Sequence, residues 1–140
     1  MRLKKAFYWW SSAAILCMIM IFIFSAMSAD DSSVLSESLT MRLFGNPDLE
    51  TPVRKAAHLL MYTFLGFFAA NSFKYISRGK KAYIAPLCFA SFYAVTDELH
   101  QLFVPGRSCE LRDWAIDTLG ALLGICIAFL IIRRKKPDSA

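Results

Sequence analysis

Residues 114–132 have the sequence WAIDTLGALLGICIAFLII, and this stretch alone indicates a membrane protein. Its one charged side chain is Asp117, and every other position except Thr118 carries an apolar side chain or none. About twenty consecutive apolar residues in a helix cross a hydrocarbon core of roughly 30 Å. We therefore predict that this stretch forms a membrane-spanning helix.

Three further apolar stretches of similar length precede this one, at about 7–27, 53–76 and 82–103. The chain of 140 residues is 56% hydrophobic, above the content of ordinary soluble domains. Only short polar turns separate the last three stretches, and short connections make neighbouring helices antiparallel. The prediction is an all-α membrane protein, a single domain over residues 1–140 with four transmembrane helices in an antiparallel bundle.

The net charge of +5 would suit a nucleic-acid partner, but the basic residues are sorted along the chain. Eleven of the sixteen lie in the terminal segments and in the turn between the second and third stretches. They are Arg2, Lys4, Lys5, Lys74, Arg78, Lys80, Lys81, Arg133, Arg134, Lys135 and Lys136. Lysine and arginine near membrane spans are enriched on the cytoplasmic side. Both termini are therefore predicted to be cytoplasmic, and we expect no nucleic acid to bind.

The first apolar stretch also has the outline of a secretory signal, with basic residues before it and small residues, Ala26 to Ala29, after it. Signal sequences have apolar cores of about 7 to 15 residues, and this apolar run is longer. We expect the stretch to be retained as a helix. Cleavage would leave the topology of the remaining spans unchanged.

The connection after the first stretch has two interpretations. Five apolar residues recur there at helical spacing: Val34, Leu35, Leu39, Leu43 and Phe44. A short helix lying on the outer membrane surface would suit that pattern, and the alternative is a plain loop. Further along, Thr51-Pro52 predicts the start of the second helix, with Thr51 as N-cap and Pro52 as first helical residue.

The polar side chains inside the last three stretches lie near the predicted outer ends. They are Arg54, Lys55, His58 and Tyr62, then Asp97, Glu98, His100 and Gln101, then Arg112, Asp113 and Asp117. At 1.5 Å per residue the ionisable groups share one depth, within roughly 10 Å of the helix ends. Most also share a face of their helix, and a charge facing lipid costs about 3 kcal/mol or more. Three helices are therefore predicted to converge on one polar pocket.

The residue types of this pocket favour an anionic ligand. Arg54, Lys55 and Arg107 could hold a phosphate or a carboxylate at the outer surface. His58 could exchange protons near neutral pH. The alternative is a purely structural cluster, in which hydrogen bonds and ion pairs hold the helices together.

A metal site is a further alternative for the same residues. Asp97 and Glu98, with His58 or His100, would supply oxygen and nitrogen ligands, so the cofactor stays open at this point. The sequence contains no H-E-x-x-H motif, glycine-rich phosphate loop or serine elbow. No known catalytic template is met.

Gly120 and Gly124 form a G-x-x-x-G motif in the fourth stretch. Two positions without a side chain on one helix face let a neighbouring backbone approach closely. We favour this close-packing interpretation, which also turns Asp117 inward because it lies on the same face.

These motifs resemble those of the VanZ-like family, which is named for a membrane protein associated with resistance to the glycopeptide antibiotic teicoplanin. The resemblance covers residues 54–124, about half of the chain. It rests on K-x-x-H-x-x-x-Y at 55–62, DELHQLFVPGR at 97–107 and D-x-x-x-DTLG-x-x-x-G at 113–124. One departure is Asp117, where family members often have asparagine, which would bind a partner without charge.

The resemblance implies a multi-pass protein of the bacterial plasma membrane, in some members linked to tolerance of lipoglycopeptides. We predict that the pocket binds or modifies an anionic group of a lipid-linked cell-wall intermediate or related membrane lipid. The catalytic candidates are His58, Asp97, Glu98 and Asp117. The substrate-binding candidates are Arg54, Lys55, Tyr62, His100, Gln101, Arg107 and Asp113.

Two other functions stay open from the sequence. The chain could bind the antibiotic or a cell-wall partner without catalysing a reaction. It could also be a small dimeric transporter, although transporter charges are expected near the bilayer midplane rather than near one surface.

Overall fold

The computed structural model describes residues 2–134, and within them the chain is all-helical, without a β-strand. The elements are α1 (Arg2–Ser25), α2 (Ala29–Phe44), a 3-10 turn (Pro47–Leu49), α3 (Glu50–Phe73), α4 (Lys81–Gln101) and α5 (Leu111–Arg134). The basic residues Lys135 and Lys136, used above to orient the C-terminus, lie outside the described residues. The all-α fold is confirmed.

Three helices are long and apolar enough to cross a membrane: Leu3–Ser25 in α1, Thr51–Phe73 in α3 and Leu111–Ile131 in α5. The fourth predicted span corresponds to α4, which is not among these three. Polar residues at its C-terminal end lower its mean hydropathy. The structure therefore has three candidate spans, and its fourth long helix, α4, is shorter than these three helices.

The helix ends differ from the predicted ones by one to five residues. We predicted 7–27, 53–76, 82–103 and 114–132, and the observed helices cover 2–25, 50–73, 81–101 and 111–134. Predicted ends were set where apolar residues begin or stop, whereas backbone hydrogen bonds continue through polar turns. The N-cap prediction for Thr51 is wrong, because α3 follows the 3-10 turn with Leu49 as N-cap. Pro52 still lies in the first turn, where a missing N–H costs no helical hydrogen bond.

The connection after α1 is a helix, so the plain-loop alternative is wrong. The Ser28 side chain caps α2 by accepting a hydrogen bond from the Asp31 N–H at 3.1 Å. The helix ends at Gly45, whose φ of 66° is a left-handed conformation that glycine adopts without strain. Three polar residues of α2 are buried: Ser32, Ser36 and Thr40. The apolar residues of α2 that were expected to contact the membrane surface are exposed: Val34, Leu35, Leu39 and Leu43.

The long helices alternate in direction. Ser11 of α1 hydrogen-bonds Ser72 near the end of α3 at 2.6 Å, and the Cys17 thiol donates to the Met61 carbonyl at 3.3 Å. Ser91 of α4 likewise hydrogen-bonds Thr118 near the start of α5 at 3.0 Å. Consecutive long helices are therefore antiparallel, and α3 and α5 run parallel.

The interface between α3 and α5 is the most extensive one among the described helices, and it depends on glycine. A Cβ added to Gly120 would lie 2.5 Å from the Leu59 carbonyl oxygen, and one on Gly124 would overlap the Thr63 carbonyl. Gly66 of α3 faces the Ala121 backbone of α5 in the same way. The predicted close packing on Gly120 and Gly124 is confirmed.

The turn between α4 and α5 closes one end of the bundle. The Ala29 N–H donates to the Pro105 carbonyl at 3.1 Å, and Arg107 Nε donates to the Met27 carbonyl at 3.4 Å. These bonds tie the turn to the junction of α1 and α2. The C-terminal ends of α1 and α4 therefore meet the N-terminal ends of α3 and α5.

Candidate functional site

Ionisable side chains from three helices meet at this closed end of the bundle, and several are buried. The exposed fraction of the side chain is 1% for Asp117 and 3% for both Asp97 and Glu98. Seven of the predicted site residues line one small polar cavity of about 20 Å³. The lining comes from Arg54 and His58 on α3, Glu98, Gln101 and Arg107 on α4 and its following turn, and Asp113 and Asp117 on α5.

The centre of the site is formed by His58, Asp97 and Asp117. His58 Nδ1 lies 3.7 Å from Asp117 Oδ1, which is an ion-pair distance but too long for a good hydrogen bond. One ligand atom from each of the three residues lies within 4.8 Å of the other two. One residue from each of α3, α4 and α5 is thus brought to the same point, as the helical spacing predicted.

The hydrogen bonds of the carboxylates are only partly satisfied. Glu98 Oε2 accepts from the Glu110 N–H at 2.8 Å, and Asp97 Oδ2 accepts from Gln101 Nε2 at 3.4 Å. Asp97 Oδ1, Glu98 Oε1 and both oxygens of Asp117 have no hydrogen-bond partner among the described residues. A buried polar atom without a partner costs about 1–3 kcal/mol, and a charged one costs more. The cluster therefore has unused capacity to bind protons or a ligand.

Two arginines, Arg54 and Arg107, line the polar cavity together with this cluster. Burial of the Arg107 guanidinium lowers its pKa, and the neighbouring positive charge of Arg54 lowers it further. The carboxylates of Asp97, Glu98 and Asp113 oppose this shift. Two guanidinium groups close enough to repel each other would be stabilised by an anion between them.

Lys55, predicted to bind an anion with the two arginines, does not line the polar cavity. Its ammonium group donates to Asp113 Oδ1 and lies 3.7 Å from Glu110 Oε2. These contacts join the first turns of α3 and α5.

Tyr62 and His100 lie at the margins of the site and line neither cavity. Tyr62 is fully buried near Asp97 and Asp117, and its hydroxyl has no hydrogen-bond partner among the described residues. The His100 ring packs on Phe22 of α1, with ring centroids 4.6 Å apart. His100 therefore contacts the first helix rather than the interior of the cavity.

The sequence analysis missed Ser25, which is fully buried at the end of α1 beside Asp97. We had treated the first stretch only as a membrane span. Ser25 could have been predicted from its position along the helix, because it is a polar residue within one turn of the predicted outer end of that stretch. The site therefore includes a contribution from all four long helices.

An apolar cavity of about 260 Å³ adjoins the polar one and was not foreseen from the sequence. Its walls include Ile21 and Phe24 of α1, Leu35 and Leu39 of α2, and Leu60 of α3. Arg54, His58 and Arg107 line both cavities. The two arginine side chains thus lie between a polar and an apolar space.

The described part of the chain is all-helical, has three helices long enough to span a membrane and buries an ionisable cluster at one end of its bundle. These features are those of an integral membrane protein. The family model described as VanZ/LLP1 matches residues 10–133. The chain is therefore a member of the VanZ/LLP1 family, which confirms the resemblance seen in the motifs. No curated protein and no solved structure gives a significant match.

Proposed function

We propose that this protein spans the bacterial plasma membrane four times, with both ends in the cytoplasm, and that its outward-facing site binds or modifies the anionic group of a lipid-linked cell-wall component. Through that component it would contribute to resistance to teicoplanin. The predicted site residues that line the polar cavity, together with Asp97, would carry this role.

The four-span topology is supported by the length and packing of α4. Its 21 residues would extend about 30 Å as a helix, which matches the hydrocarbon core. It packs beside α3 and α5 rather than across the end of the bundle. Four alternating spans would put both chain ends on one side, and the distribution of lysine and arginine favours the cytoplasm as that side.

One observation carries the choice of ligand: Arg54, His58 and Arg107 line both the polar and the apolar cavity. A molecule with an anionic headgroup and a hydrocarbon tail matches this arrangement. The guanidinium groups would bind the headgroup, since arginine binds phosphate or carboxylate with two parallel hydrogen bonds. The apolar cavity between α1, α2 and α3 would receive the adjoining part of the tail.

The carboxylates and His58 supply the means of modifying a bound headgroup. His58 Nδ1 lies 3.7 Å from Asp117 Oδ1, and His58 lines the same cavity as the two arginines. It could therefore take up or deliver a proton at the ligand. The polar cavity of about 20 Å³ holds little more than one water molecule, so the headgroup would be bound by the arginines at the mouth of this cavity and not inside it.

Binding is tested with the purified full-length protein and two lipids, a polyprenyl phosphate and a zwitterionic phosphatidylcholine. Native mass spectrometry should detect preferential binding of the phosphate lipid. Arg54→Gln and Arg107→Gln should each weaken that binding about 10-fold or more, since each removes charge-assisted hydrogen bonds. Arg78→Gln, in the exposed turn at the opposite end of the bundle, is the matched control and should bind as the wild type does. Equal binding of both lipids, or no effect of either site variant, would contradict the proposal.

The functional role is tested separately in cells. Single substitutions of His58, Asp97, Glu98 or Arg107 by alanine should remove any teicoplanin tolerance that the protein confers, with normal abundance in the membrane. Incubation of the protein with labelled envelope lipids then distinguishes the two roles, because only an enzyme yields a product of altered mass. Full tolerance in all four variants would refute a functional role for the site.

A further inference from the structure

We propose that His58, Asp97 and Asp117 bind a divalent metal ion of the zinc or manganese type at the buried centre of the site. The inference concerns the resting protein and does not depend on which lipid the outer part of the site binds. It rests on the arrangement of the three ligand groups, their burial and a neighbouring hydroxyl.

The three groups approach one another from three different helices. Their ligand atoms lie within 4.8 Å of one another, and His58 Nδ1 to Asp117 Oδ1 is 3.7 Å. Ligand atoms bound to zinc at roughly 2.1 Å lie about 3 to 4 Å apart. The three ligand atoms therefore lie within about 2 Å of the separations that binding to one ion requires.

The burial of Asp97 and Asp117 favours a cation at their oxygens, in addition to the positive charge that Arg107 places near Asp97. Asp97 and Asp117 are 3% and 1% exposed, and three of their four oxygens have no hydrogen-bond partner among the described residues. The nearby Lys55 ammonium is engaged by Asp113 and Glu110. Two buried carboxylates with a neutral imidazole carry a charge of about −2, which one divalent cation would neutralise.

Tyr62 is an independent indication that the cluster of His58, Asp97 and Asp117 holds a ligand. The side chain is 0% exposed, its hydroxyl has no partner among the described residues, and it lies near Asp97 and Asp117. A hydroxyl in that position can donate to a carboxylate oxygen that does not contact the metal. Such hydrogen bonds orient metal ligands and are a regular part of metal sites.

The donor set indicates the class of ion. One imidazole nitrogen and two carboxylate oxygens suit zinc or manganese, whereas magnesium and calcium prefer oxygen alone. Three protein ligands leave at least one coordination position for water or another oxygen ligand. Because His58 and Asp117 line the polar cavity, that position would face Arg54 and Arg107.

Metal content is measured on full-length protein in detergent, stripped with a chelator and then loaded separately with zinc or manganese. We expect inductively coupled plasma mass spectrometry to detect about one metal ion per chain. Cobalt loading should give visible absorption bands that report on the ligands. The bound ion should also raise the midpoint of thermal unfolding, because only the folded chain holds the three ligands together.

The variants His58→Ala, Asp97→Asn and Asp117→Asn should each lose the ion and the cobalt bands. Asp30→Asn is the matched control, since Asp30 is an exposed carboxylate in the first turn of α2 that does not line either cavity, and it should keep both. Tyr62→Phe should weaken metal affinity about 10-fold and shift the cobalt bands without abolishing them.

Absence of bound metal in the wild-type protein at saturating concentration would overturn the proposal and leave a structural cluster with protonated carboxyl groups. Unchanged metal affinity in the three ligand variants would overturn it equally. Neither result would bear on the lipid-binding test, which has its own readout.

Discussion

Lys55 and Asp113 form an ion pair between the first turns of α3 and α5, at side chains that are 27% and 30% exposed. Partial burial shields the pair from solvent, so it should contribute more than a fully exposed pair. We expect the double-mutant cycle of Lys55→Met and Asp113→Asn to give a coupling free energy of about 1 kcal/mol. The measurement is unfolding of the detergent-solubilised protein. A coupling of zero would show that the two side chains act independently.

For single residues, the sequence predicted which side chains lie close together but not which of them pair with each other. Helical spacing and depth brought His58, Asp97 and Asp117 to one point. The pairing of Lys55 with Asp113 could not be predicted, because both residues were equally able to face the cavity. Which groups bond to each other depends on distances of a few ångströms, and periodicity does not fix those.

At the scale of elements, the parallel packing of α3 on α5 depends on the lack of side chains at Gly120 and Gly124. Gly124→Ala should destabilise the protein by about 2 kcal/mol or more, because the new methyl group would overlap the Thr63 carbonyl and force the helices apart. Leu123→Ala removes an exposed side chain at the adjacent position and should change stability little. Equal unfolding midpoints for the two variants would contradict this account of the interface.

Element types were more predictable than element ends. The apolar stretches gave the four long helices, and the five-residue apolar pattern after the first stretch favoured α2 without excluding a loop. Thr51-Pro52 misplaced the start of α3 because the 3-10 turn at Pro47–Leu49 leads directly into the helix. That turn begins at Pro47, directly after Asn46, whose side-chain oxygen accepts a hydrogen bond from the Asp48 N–H at 2.9 Å. The local signal for the start of this helical segment is therefore Asn46-Pro47, which precedes the predicted Thr51-Pro52 by five residues.

At the scale of the whole molecule, the proposed topology predicts which cysteines are reached from outside. Cys109 is exposed in the turn between α4 and α5, so a membrane-impermeant maleimide should label it in intact cells. A cysteine introduced as Ser77→Cys, in a Cys109→Ser background, should react only after the membrane is permeabilised. Cys88 and Cys126 are exposed on long helices but should react slowly, because a membrane-impermeant reagent does not enter the hydrocarbon that would surround them. Labelling of position 77 in intact cells would contradict the orientation.

The apolar cavity could not have been predicted from the sequence. It lies between α1, α2 and α3, and its existence depends on α2 turning Ser32 and Ser36 towards the bundle while leaving space beside Phe24 and Leu60. The apolar periodicity of α2 gave its helical character but not the angle at which it meets its neighbours.

Arg54, His58 and Arg107 form a wall that belongs to both cavities, and this wall determines by which route a ligand would bind. A ligand dissolved in the bilayer reaches this wall by lateral diffusion, so the quantity that governs saturation is its mole fraction among the lipids and not its molarity in water. Diluting the lipid with neutral carrier in reconstituted vesicles should therefore lower occupancy, whereas diluting the vesicle suspension should leave it unchanged. A free inorganic phosphate, which gains nothing from the hydrocarbon side, should compete poorly at any aqueous concentration near that of the lipid.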